Sequence, residues 1–182
     1  VKTLGSYRIG TILDYSVEGK VEEEDFDQTA EIIIQTIEKA SIEKHIPFAV
    51  FKITGISKFS LLEKASGDKK NLSDDEQIEL DKVSSRINKI CSTAKKRNVP
   101  VFIDAEESWV QDIVDQWAYD MMLRYNKEKC IVYNTVQMYR HDRILFLKEC
   151  LQKAKKSNVS YGVKLVRGAY MEKERGRAEE MG

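Results

Sequence analysis

The sequence predicts an α/β fold: a (β/α)8 TIM-like barrel of which this chain carries about five parallel strands and four to five helices, in one partial domain spanning residues 1–182. Three observations predict it. Five short apolar runs alternate with four longer stretches of helical periodicity. The runs are apolar on both faces, as strands of a parallel sheet covered by helices must be. Polar residues then recur at their C-terminal ends, at Lys52, Asp104, Gln137 and Arg167, and a barrel gathers those ends at one mouth, where its active sites lie. A doubly wound open sheet begins in the same way, but no G-x-G-x-x-G follows the first run, where a dinucleotide-binding fold places it.

The elements come in this order. Residues 11–17 (TILDYSV) form the first strand, and the acidic run 22–25 opens the first helix, where its charge suits the helix dipole. That helix, 25–45, carries Ile32, Ile33, Ile37 and Ala40 at helical spacing. Residues 48–56 (FAVFKITGI) are the second strand, and the polar, Lys- and Ser-rich stretch 57–71 reads as an insertion. The second helix, 72–98, spaces Ile78, Val83, Ile87, Ile90 and Ala94 along one face, and Ser73 with Glu76 fits a capping box at its start. Residues 99–105 (VPVFIDA) give the third strand. Ser108 with Gln111 fits a second capping box, opening a helix over 109–126 in which Tyr119, Met121 and Met122 are core residues. The strand 130–136 (CIVYNTV), a helix over 142–157 and a buried fifth strand, 161–166 (YGVKLV), complete the set. No sixth strand follows, so the chain is expected to be a fragment of a larger protein, lacking strands six to eight and a C-terminal helix.

Composition narrows the function. With 182 residues the chain can bury a real core. Thirty basic residues balance thirty acidic ones, which removes the electrostatic case for nucleic acid or an anionic membrane. Cys91, Cys130 and Cys150 are odd in number and widely spaced without C-x-x-C, as free thiols of a reducing compartment are, rather than disulfides or zinc ligands. No apolar run approaches spanning length and the first residues hold no signal-peptide core; a soluble intracellular chain is the expectation. His45 and His141 read as structural or solvated.

The candidate chemistry sits at the strand ends. Lys52, between Phe51 and Ile53, must either reach water or meet an anion, because an unpaired buried ammonium is costly; it suits a carboxylate clamp on a small acid. Asp104 and Glu106 form a D-x-E pair on one face of an extended segment, compatible with divalent-metal binding, acid–base work or plain ion pairing. No histidine lies nearby, which weakens a zinc or transition-metal site. Gln137 could hydrogen-bond the carbonyl and N–H edge of a flavin. In YGVKLVRGAYMEKER (161–175), Lys164 and Arg167 put charge into an apolar strand, and Gly168 and Ala169 remove bulk just after it. An anionic, planar or phosphorylated cofactor would need such a cationic strand end followed by small residues.

Five motifs in register, LDYSVEG, FKITG, FIDAEES, YNTVQMY and KLVRGAYMEKER, resemble the proline dehydrogenase family over the chain from about Leu13 onward. The resemblance implies a distorted (β/α)8 barrel that holds FAD non-covalently and oxidises L-proline to 1-pyrroline-5-carboxylate, the first step of proline catabolism, passing electrons to an acceptor such as a quinone. It also implies roles. Asp104 and Lys164 are catalytic, with Lys164 standing where many members carry an arginine near the flavin. Lys52 and Tyr170 bind substrate. Ala105, Gln137, Lys164, Arg167, Gly168 and Ala169 contact the cofactor, and no metal is required. A gating acid after strand one is matched by either Glu18 or Glu22. The family's late helix with paired arginines is absent from these residues, so the sites can be present without the activity. A cytoplasmic or inner-membrane-peripheral location is implied for a bacterial protein and the matrix side for a mitochondrial one; a homo-oligomer is allowed. The competing reading is a metal-dependent barrel lyase or hydrolase using Asp104 and Glu106, or a non-catalytic structural fragment.

Overall fold

The computed structural model describes residues 1–15, 22–67 and 72–182. Five parallel strands lie side by side in chain order: β1 (Leu13–Asp14), β2 (Ala49–Phe51), β3 (Val101–Ile103), β4 (Val132–Gln137) and β5 (Gly162–Val166). Every pairing is parallel, with Asp14 opposite Val50, Phe51 opposite Ile103, Ile103 opposite Asn134 and Thr135 opposite Lys164. The order never reverses. Right-handed crossovers that always step the same way leave their helices on one face of the sheet, which is how a barrel is wound; an open doubly wound sheet switches direction. The expected α/β class and barrel-type winding therefore hold. The first-strand prediction reached residues 16–17, and residues 16–21, with the candidate gating acid Glu18, lie outside the described residues.

The period of two in each strand separates two faces. Ala49, Phe51, Val101, Ile103 and Val132 point toward the helices and join one core with Ile33 and Ile37 of α2 (Glu23–Ile42), Ile87 and Ile90 of α4 (Asp74–Arg97), and Val114, Ala118, Met121 and Met122 of α5 (Ser108–Tyr125). The inner face carries Phe48, Phe102 and Tyr133, with the first two rings stacked 4.5 Å apart and Tyr133 edge-on to both. Toward the C-terminal ends this inner face turns polar. Asn126, fully buried just after α5, ties the starts of β4 and β5 together: its Oδ1 accepts from Ile131 and Val132 N–H, and its Nδ2 donates to the carbonyls of Val132 and Ser160.

Seven α-helices occur among the described residues, where the sequence predicts four to five. The additions are α1 (Lys2–Ser6), α3 (Phe59–Ser66) and α7 (Met171–Met181). The supposed polar insertion contains α3, because Leu61, Leu62 and Ala65 form a short apolar stripe that the surrounding lysines and serines obscure in the sequence. Residues 68–71 of that stretch lie outside the described residues. The Ser73–Glu76 capping box forms, with Ser73 Oγ accepting from Glu76 N–H at 3.2 Å and Glu76 Oε2 from Ser73 N–H at 2.8 Å. Ser108–Gln111 does not form one. Gln111 turns inward, and the acid of another helix takes the Ser108 N–H. Ile78 is 55% exposed rather than part of the α4 core face. β5 is not fully buried either: Leu165 on its outer face is 57% exposed. α6 (Arg143–Lys156) packs on β4.

Candidate active site at the strand ends

The inner-face positions at the C-terminal ends of the strands bring together Asp14, Lys52, Asp104, Thr135 and Lys164. Each is two residues on from an inner-face neighbour, so strand periodicity alone aims them at one mouth. Lys164 donates to Asp104 Oδ1, which also accepts from Thr135 Oγ1 at 3.2 Å. Lys164 lies 5.3 Å from the centre of the Phe102 ring, so its ammonium has both an anion and an aromatic face. Burial, and then the nearby Asp104, push the Asp14 carboxyl upward, while Lys52 and Lys164 pull it back. The result is two acids and two lysines, half-open to ligand, on one surface.

Glu106 behaves differently from its neighbour in the sequence. It is 1% exposed. Its Oε1 accepts from Thr54 Oγ1 at 2.9 Å and from Thr54 N–H at 3.4 Å, and its Oε2 accepts from the Tyr170 hydroxyl at 2.9 Å. Burial pushes its carboxyl up to about 7, against the pull of those hydrogen bonds and of Lys52. The D-x-E pair thus splits: Asp104 serves Lys164 and Thr135, Glu106 serves Thr54 and Tyr170. Among the described residues no group of three or more His, Cys, Asp or Glu could hold a metal ion. The two carboxylates that the metal-dependent reading joins are thus engaged by different partners.

Gln137, at the end of β4, is 1% exposed. Its Nε2 donates to the Glu106 carbonyl and to the Tyr139 hydroxyl, and its Oε1 accepts from Arg140. Ala105 is buried beside it in the chain segment this amide holds. Beyond β5 the chain is open: Arg167, Gly168 and Ala169 are exposed, Tyr170 is half-buried, and residues 168–173 with Arg175 line a cavity of about 520 Å³. Among the described residues a Cβ on Gly168 would meet only the terminal methyl of Met171, at 3.2 Å.

Sequence reasoning missed the layer beneath the mouth. Gln111 Oε1 accepts the Glu106 N–H at 2.8 Å, and Gln111 Nε2 donates to Asp115. Asp115 also accepts from Asn134 and from Arg143, each at 2.8 Å, and Arg143 pairs with Asp142 as well, holding that carboxyl down at about 2. The i, i+4 spacing of Gln111 and Asp115 was a readable signal, as was Asn134, a polar residue at a helix-facing position of an apolar strand. α7 is held to the start of α5 by polar groups: Glu174 takes the Ser108 N–H at 2.6 Å and its hydroxyl at 2.7 Å, Lys173 pairs with Glu107, and Arg177 covers the Trp109 ring at 4.4 Å.

A singly wound parallel sheet with its charged side chains gathered at the strand ends defines the β/α-barrel class of enzyme domains. The family model described as proline dehydrogenase matches residues 1–182, and the chain belongs to the proline dehydrogenase family. Among curated relatives it is 32% identical over 167 residues to the carbapenem antibiotics biosynthesis protein CarD of Pectobacterium carotovorum subsp. carotovorum, covering 92% of this chain and 44% of that protein. It is 32% identical over 209 residues to mitochondrial proline dehydrogenase 1 of Arabidopsis thaliana, covering 94% of this chain and 42% of that one. The chain thus spans less than half the length of these relatives. The crystal structure of proline utilization A from Bdellovibrio bacteriovorus inactivated by N-propargylglycine shares the fold, with a TM-score of 0.79 at 17% identity, over 100% of this chain and 20% of that one. Among the described residues no helix is long and apolar enough to cross a membrane.

Proposed function

We propose that residues 1–182 carry strands one to five of an FAD-dependent proline dehydrogenase barrel, and that the whole protein oxidises L-proline to 1-pyrroline-5-carboxylate and passes the electrons to an acceptor such as a quinone. The observation that carries this reading is the paired Lys164 and Asp104 with Lys52 beside them on the inner face, in a chain of this family. Proline is a small acid with a secondary amine; a mouth holding cations and a carboxylate on one surface suits both ends of it.

The exposed residues fit the cofactor. Arg167 and Lys164 offer cationic donors to an electron-rich ring edge or a phosphate. Among the described residues a Cβ at Gly168 would meet only the flexible tip of Met171, so the missing side chain leaves room for a ligand. Gln137 fits as an anchor: its amide holds the Glu106 carbonyl and Tyr139, which fixes the segment of Ala105 at the mouth. FAD, when bound, supplies a two-electron acceptor.

The chain's own residues bind and orient. Lys52 holds the substrate carboxylate by a charge-assisted contact. Asp104, steadied by Lys164 and Thr135, sets the local charge and opposes Lys164, so that neither is left uncompensated in a half-buried site. Tyr170, whose hydroxyl donates to Glu106, is the aromatic assigned to the substrate. Orientation of this kind places the ring carbon next to nitrogen for hydride loss, and the nitrogen for proton loss. Mixing the purified full-length protein with FAD should give a yellow holoprotein that reduces a redox dye only when proline is added. A protein that stays colourless and inert with proline removes this reading.

A further inference from the structure

Glu106 is bonded at every polar atom, and each bond reaches a different part of the mouth. Its N–H donates to Gln111 on α5, its carbonyl accepts from Gln137 of β4, Oε1 accepts two hydrogen bonds from Thr54 after β2, and Oε2 accepts one from Tyr170 after β5. The asymmetry between the two carboxylate oxygens matters. Oε1 faces a backbone N–H and a hydroxyl, and the N–H can only donate. A proton arriving on this carboxyl therefore belongs on Oε2, where it points at the phenol oxygen of Tyr170.

We propose that Glu106 is a positioning residue that sets the hydrogen-bond polarity of Tyr170. Ionised, it accepts the hydrogen bond of the phenol O–H, and the phenol offers its oxygen as an acceptor to a ligand. Protonated, it donates to that oxygen and turns the phenol hydrogen outward. The acceptor form suits the N–H of a secondary amine; the donor form opposes it. This catalytic consequence rests on the function proposed above, whereas the switch itself does not.

The surroundings place the change in an accessible range. Burial holds the Glu106 carboxyl up at about 7, so it is protonated below that pH and ionised above it. Lys52, from the end of β2, favours the ionised form. From α5 the charged group behind Gln111 is Asp115, itself paired with Arg143; from the β4–α6 side Tyr139 and Arg140 stand behind Gln137; from α7 Lys173 covers the Tyr170 ring at 5.3 Å. Asp115 and Arg143 oppose each other, as do Lys173 and Glu107, and burial remains the first cause.

Glu106→Gln is a direct probe, because its amide must keep the oxygen toward Thr54 and aim Nε2 at Tyr170, reproducing the protonated form at every pH. The full-length protein, loaded with FAD and labelled with ¹³Cζ-tyrosine, is titrated by NMR in a His141→Asn background that removes the imidazole on the neighbouring turn; Tyr170→Phe identifies the resonance. The Tyr170 signal should move with a midpoint of about 7. In Glu106→Gln it should sit at the low-pH position throughout. The kcat/KM for proline should fall by about tenfold, the worth of one hydrogen bond, as the pH drops through that midpoint, and should be low in Glu106→Gln at all pH. A Tyr170 signal that is flat in the parent, or still titrates in Glu106→Gln, overturns the proposal. If Glu106→Gln does not fold, Thr54→Val decides instead: losing a hydroxyl that favours the carboxylate should raise the midpoint, and an unmoved midpoint overturns the proposal. A signal that behaves as expected in a protein that does not oxidise proline upholds the switch and removes only the functional reading.

Discussion

Under the function proposed above, Arg167 and Lys52, two side chains of one charge, are expected to do different work. Lys52 is half-buried between Phe51 and Ile53 and acts on Asp14 and Glu106, so under the function proposed above its ammonium is the one expected to meet the substrate carboxylate. Arg167 is exposed beyond β5, next to Gly168. Arg167→Ala is therefore expected to lower flavin content first, leaving the KM for proline in the residual holoenzyme nearly unchanged; loss of one charged donor is worth roughly one to two decades in affinity. The ratio of flavin to protein absorbance after dialysis checks it, and full flavin content with a raised KM contradicts the assignment. These residues were legible in the sequence because a charge at the end of an apolar strand has few structural uses. Glu106 was legible only as half of a D-x-E pair. Its partners Thr54 and Tyr170 lie 52 and 64 residues away, and spacing along the chain carries no trace of them.

At the level of elements, the long helices and all five strands could be read from periodicity, and three helices could not. α3 has only a three-residue apolar stripe, and α7 buries none of its side chains; its attachment is by Glu174, Lys173 and Arg177 to other elements. Capping was half legible. Ser73 and Glu76 needed only each other, whereas Ser108 found its acid on α7 and Gln111 was drawn into the buried Asp115 network. Gly162 illustrates a constraint that β-propensity would have missed. A Cβ there would lie 2.4 Å from the Val132 carbonyl oxygen, 2.7 Å from Cys130 Sγ and 2.8 Å from the Tyr133 ring. The first of these is backbone of a paired strand and cannot step aside. Gly162→Ala should cost roughly 1–3 kcal/mol, the usual range for overpacking a tight site. An unchanged urea midpoint would show that β4 and β5 approach less closely than this.

For the whole molecule, the ordered run of strands turns scattered strand-end residues into a site. Winding in one direction puts Lys52, Asp104 and Lys164 on a single inner surface although the three are far apart along the chain, and the helices bury the opposite surface in one core. That winding was legible in the polar residues closing the second to fifth strands and in the missing glycine-rich turn after the first, rather than in the strands themselves. The central claim is that this surface holds a proline-like acid beside a reducible cofactor. Its most direct test is an anaerobic titration of the FAD-loaded full-length protein with L-proline, followed at the visible flavin band, for the parent and for Lys52→Ala. The parent should bleach to completion, and Lys52→Ala should need about ten- to a hundredfold more proline for half-bleaching. A flavin that stays oxidised at saturating proline, or two superimposable titrations, would contradict the account.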